Sequence, residues 1–80
     1  MEIFYTSHAV NRMQIRNVSA AEVESVITDP MGVIPQTKDK QIFFRRLPRR
    51  SDNLIAIVAL ARRDDQYEII TVMNFFEVRK

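Results

Sequence analysis

The sequence predicts an α+β domain: two N-terminal helices packed on an antiparallel sheet of three or four strands. Three observations lead there. Apolar residues recur at helical spacing up to about residue 28 and alternate beyond about residue 31. The later segments are joined by short connections, which favour an antiparallel meander. One segment, LIAIVALA (Leu54–Ala61), is apolar on both faces and belongs at the centre of the sheet. The helices then supply the second layer over one sheet face.

Each element has its own signal. MEIFY, at the N-terminus, alternates weakly, as a short strand does. Ser7 is the predicted N-cap of a helix over residues 8–16, with Ala9, Val10 and Met13 on its apolar side. Asn17 follows, and asparagine is second only to glycine as a left-handed helix terminator. Ser19 and Glu22 have capping-box spacing for a second helix over residues 20–28, whose apolar face is Val23, Val26 and Ile27. Asp29–Pro30 stops it, because the residue before proline is pushed out of helical geometry. Strands follow at GVIPQ, KQIFFRRL, NLIAIVALAR and YEIITVMNFF, with PRRSDN and RDDQ as loop and turn.

Eighty residues make one small domain, 1–80, with a modest core. Absence of cysteine fits a reducing cytoplasm and leaves no disulfide or thiolate metal site. No signal peptide is read at the N-terminus, and the longest apolar run is too short to span a bilayer. A soluble, cytoplasmic protein without a membrane partner is expected.

The formal charge is only +2, but it is unevenly placed. Lys38, Lys40, Arg45, Arg46, Arg49 and Arg50 stand against a single acid, Asp39, so residues 38–50 carry +5. Nine of the twelve basic residues are arginine, the better fork for phosphate and the better stacker on bases. A polyanion such as RNA is the partner this suggests, with Lys38, Lys40, Arg45, Arg49 and Arg50 as contacts. A basic hairpin that only confers solubility is the plain alternative.

His8, Arg12 and Arg16 are spaced by four. On a helix they form one stripe, each step turning by only about 40°. The stripe borders the apolar side, and Ile15 lies inside it, which points to a groove or another layer beside it. A neutral imidazole accepts a proton, and nearby arginines hold a phosphate and stabilise charge developing on it. Those are components of metal-free RNA cleavage. The alternative is a histidine at a helix start with arginines paired to carboxylates. One histidine and no cysteine argue against zinc; there is no glycine-rich phosphate loop; Asp64–Asp65 reads as a solvated turn. No cofactor is expected. Phe43–Phe44 and Phe75–Phe76 each put one ring on each sheet face, and a base-stacking platform there requires exposure.

The stretch S-H-A-x-x-R-M-x-x-R-N-V-S, followed by AAEVESVITDP, resembles the bacterial domain-of-unknown-function family 4258. That family is similar to the BrnT and RelE/ParE toxins, compact helix-plus-antiparallel-sheet proteins, many of them metal-independent ribonucleases neutralised by an antitoxin. The resemblance implies a RelE-like toxin that binds RNA, ribosome-associated or free, and cleaves it. His8 is then the base, and Arg12, Arg16 and Arg46 hold phosphate, with Arg45 or Arg46 in the strand region where such folds place a basic residue. Two positions depart from the pattern: Asn17 replaces the usual glycine, and Met73–Asn74 stand where a tyrosine or arginine ends the last strand. A different class also fits, a non-catalytic basic module that binds an acidic protein or nucleic acid.

Overall fold

In the computed structural model, which describes residues 1–78, the order is β1 (Glu2–Tyr5), α1 (Ser7–Arg16), α2 (Ala20–Thr28), β2 (Gly32–Pro35), β3 (Lys40–Arg46), β4 (Leu54–Ala61) and β5 (Gln66–Phe76). The architecture is α+β. The strands form one five-stranded sheet in the order β1-β5-β4-β3-β2. It is larger than the predicted three or four strands, and it is mixed. β2 through β5 pair antiparallel, while β1 lies parallel to β5 with Ile3 opposite Tyr67 and Tyr5 opposite Ile69. Short connections dictate the antiparallel meander, but no short connection links β1 to β5, so that rule does not govern the pair. β1 joins the edge because Ile3 and Tyr5 pack there against the core.

The first helix is capped one residue earlier than the sequence suggests. Thr6, not Ser7, is the N-cap: its backbone is extended, and its Oγ1 accepts from Ala9 N at 3.0 Å. The same hydroxyl donates to the Ile69 carbonyl at 3.0 Å, so one side chain both starts α1 and fastens it to β5. Asn17 ends α1 at φ 54°, as a left-handed cap, and its N–H bonds the Gln14 carbonyl. Ser19 and Glu22 form the reciprocal capping box of α2, at 3.1 and 2.9 Å.

α1 lies against β5, and α2 against β3 and β4. Ala9, Val18, Val23, Val26 and Ile27 gather with Phe43, Ile55, Ile57, Ala59, Ile69 and Val72 in one buried cluster. β4 is the central strand, as its two apolar faces require. Its inward residues Ile55 and Ile57 are fully buried, and so is Ala56 on the other face. On that other face the only glycine, Gly32, sits opposite Phe44; a Cβ there would come within 2.3 Å of the Phe44 ring, so the ring lies over the glycine backbone. No helix among the described residues is long and apolar enough to cross a membrane.

Candidate functional site

α1 carries three basic side chains and no acid in its first turn. His8 is exposed in that turn; Arg12 and Arg16 follow, half-buried. Among the described residues, no carboxylate lies within ion-pair distance of any of the three; the salt bridges fall on Met1, Arg45, Arg50 and Arg62 instead. Among the described residues, Arg16 Nη1 is buried without a hydrogen-bond partner. A buried donor left unpaired is costly, and a cationic one more so. The expectation that the stripe faces a groove is corrected: Ile15, inside it, is 62% exposed, so its outer side meets solvent.

The structure does not bring the strand arginines to this stripe. Alternation along β3 puts Phe43 in the core and Arg46 on the opposite sheet face, where Arg46 donates to Asn53 Oδ1 at 3.1 Å. The sheet therefore separates Arg46 from α1. Arg45 shares the helix side of the sheet, but its guanidinium is held by the carboxylate and carbonyl of Asp29 at 2.8 and 2.7 Å, where it caps the end of α2. It lies two strands across and four residues along from the row of Ile69, next to which α1 starts, a separation of roughly 16 Å.

Arg50 differs most from its expected role. Far from being a free loop cation, its side chain is only 15% exposed. It donates to the carbonyls of Asn17 and Arg16 at 2.7 and 3.1 Å, to Asp52 at 3.0 and 2.7 Å, and to Glu22 at 3.3 Å. Asn74 Nδ2 completes the cluster on Asp52 at 3.3 Å. The two hydrogen bonds from Arg50, more than its charge alone, pull the Asp52 carboxyl below its ordinary value, against the opposing effect of burial. Asp52 in turn raises Arg50. Arg50 thus joins the end of α1, the start of α2 and the β3–β4 loop, so the fold is not expected to survive its loss unharmed. Sequence reasoning missed Asp52, Glu22 and Asn74 as its partners. The local signal was Arg50–x–Asp52, which is visible in the chain, but the carbonyls of α1 lie 33 and 34 residues away.

Arg49, in contrast, is exposed and carries no ion pair among the described residues; Lys38 is likewise exposed, in the β2–β3 turn, and Lys40 half-buried. Arg49 rims an open groove of about 610 Å³ between α1 and α2, floored by Tyr5, Val10, Met13 and Val18. Burial, then the charge of Glu24, raises the Tyr5 hydroxyl above its usual value. His8, Arg12 and Arg16 do not line this groove. Among the described residues, no three histidine, aspartate or glutamate side chains gather as a metal site.

A family model described as a domain of unknown function, DUF4258, matches residues 5–74, and the chain belongs to that family. No curated protein and no solved structure matches the chain.

Proposed function

We propose that the protein is a cytoplasmic, RelE-like toxin component that binds single-stranded RNA, with α1 as the phosphate-gripping element. The supporting observation is the cationic stripe of α1: three basic side chains that, among the described residues, have no carboxylate partner. Arg12 and Arg16 hold successive phosphates. Exposed His8, one turn before Arg12, is the one group on the stripe able to take a proton from a 2′-hydroxyl as that oxygen bonds phosphorus; the arginines counter charge on the phosphorane, and the 5′-oxygen released when its bond to phosphorus breaks takes its proton from solvent. The resemblance to RelE/ParE and BrnT toxins adds a neutralising antitoxin and a ribosome-associated RNA target to this reading. Arg46 and Arg50 are left out of the site, the first by the sheet and the second by its own bonds.

Binding without cleavage is the second reading. It is favoured by one feature: among the described residues, no carboxylate orients His8. Expression of wild type and His8→Ala in growing cells separates the two. Growth arrest that His8→Ala relieves, with RNA binding intact, supports catalysis. Binding without arrest in either form supports the module. If Arg12→Gln/Arg16→Gln binds a labelled RNA oligonucleotide as tightly as wild type in fluorescence anisotropy, α1 is not the interface.

A further inference from the structure

On the sheet face turned away from the helices, β4 places Leu54, Ala56, Val58 and Leu60 in one row with no polar side chain between them; Leu54 and Ala56 are already covered by their neighbours, while Val58 and Leu60 are half-buried and open to a partner. Ile42 and Phe44 on β3 and Thr71, Met73 and Phe76 on β5 flank it, Thr71 beside Val58 being the one polar side chain among them, and the Phe44 and Phe76 rings lie 5.8 Å apart. Phe4, on β1, is 49% exposed. A sheet face that meets water ordinarily reads polar, and a contiguous apolar face marks an interface.

The charges around this face are not evenly distributed. Lys40 and Arg46 stand on the β3 side, Glu68 and Glu2 on the β5–β1 side. Lys40 and Glu68 share one row, on either side of Leu60. Arg62 pairs with Glu68 through Oε1 alone, and among the described residues Glu68 Oε2 accepts nothing.

We propose that this face is a homodimer interface, with two copies packed sheet to sheet about a two-fold axis parallel to the strands and lying over β4. Such an axis exchanges the β3 and β5 sides while keeping each row. Lys40 of one copy then meets Glu68 of the other, twice, and Phe44 meets Met73. A two-fold axis across the strands would instead keep the β3 side on itself and set Lys40 against Arg46, cation against cation. The charge pattern therefore selects one axis and opposes the other. The aligned packing angle of about 30° between stacked sheets preserves these sides. From strand spacing and rise, the two faces together hide about 900 Å² in projection, and more with side-chain relief, which reaches the lower range of specific interfaces at about 1,000 Å². Both α1 stripes stay on the outside of the dimer, so the arrangement is independent of the RNA reading.

Sedimentation equilibrium at low salt tests it, from about 1 to 500 µM, the range that suits an interface of this size. Wild type is expected to dimerise with a micromolar Kd. Val58→Lys, in the centre of the face, raises that Kd at least about 100-fold. Lys40→Glu and Glu68→Lys each weaken the dimer about tenfold, and the double charge swap restores it, because both contacts re-form with reversed polarity. The rim variants leave the apolar face intact, and circular dichroism melts confirm that each variant is folded. A wild type that stays monomeric throughout overturns the proposal, as does a dimer indifferent to Val58→Lys. Failure of the double swap to restore the dimer overturns the axis. A monomer whose RNA affinity falls on Phe44→Ser assigns the face to nucleic-acid bases instead.

Discussion

Replacing Arg50 by glutamine removes the donor from two helix-terminal carbonyls and from the carboxylates of Glu22 and Asp52 in one step. Partly buried charge networks of this kind cost about 2–4 kcal/mol when one member is lost. An 80-residue domain holds about 4–12 kcal/mol in all, so the Arg50→Gln midpoint is expected to fall by at least about 10 °C in a thermal melt. Arg49→Gln, one residue earlier and exposed, is expected to stay within about 0.5 kcal/mol of wild type. The gap between Arg50→Gln and wild type also has a pH dependence. The Asp52 carboxyl is depressed in the folded state, so its pairing contributes fully above the ordinary value of 3.8 and is lost as pH falls through the depressed one. The two midpoints should therefore differ by a constant amount near neutrality and converge only below about pH 4. A gap unchanged down to pH 2 would assign the effect to the Arg16 and Asn17 carbonyls alone. At this scale the sequence was legible where the chemistry is local. Asn17 as a left-handed terminator and the Ser19–Glu22 box follow from neighbours in the chain. Arg50 read as a free cation because its acceptors are distant in sequence.

Among the elements, α1 is held by a hydroxyl at its start and a guanidinium at its end. Thr6 Oγ1 accepts from Ala9 N and donates to the Ile69 carbonyl, so Thr6→Ala loses a cap and a helix-to-sheet tie together. A cap alone is worth about 1 kcal/mol, and the second bond adds a comparable amount, for a total of about 2 kcal/mol. Thr6→Ser keeps both bonds and is expected to recover most of that loss; chemical denaturation of the three proteins measures it. Equal destabilisation by serine and alanine would mean that the Thr6 methyl, not its hydroxyl, does the holding. Strand identities were readable from alternation, and β4 was identified as central from its two apolar faces. The parallel pairing of β1 was not, because it depends on which sheet edge is free after β2–β5 have paired, and no local pattern encodes that. Ser7 is a residue type that caps helices, but the Ile69 carbonyl beside Thr6 fixes the cap one residue earlier.

Across the whole molecule, the basic segment 38–50 does not form one patch, although it is contiguous in the chain. β3 runs through it, and a strand both alternates its side chains and spreads them along its length. Lys38 precedes β3 and Arg49 follows it, with seven strand residues between, roughly 23 Å of chain. Arg45 and Arg46 point to opposite faces, and Arg50 turns inward. The α1 stripe is the reverse case: Arg12 and Arg16 are one helical turn apart on one side. Single-stranded RNA releases counterion for each phosphate neutralised, lowering the slope of log affinity against log salt by about 0.7 per contact. If α1 is the interface, Arg12→Gln/Arg16→Gln should flatten the slope by about 1.4, while Lys38→Gln/Arg49→Gln, whose charges sit at opposite ends of β3, should change it by no more than one contact, about 0.7. Neither pair removes a side chain of the Arg50 network, which touches Arg16 only at its backbone carbonyl, and a thermal melt of each variant separates a loss of binding from unfolding. The opposite ranking, with the Lys38/Arg49 pair dominating the slope, would move the RNA path from α1 to the ends of β3 and take His8 out of reach of the phosphates.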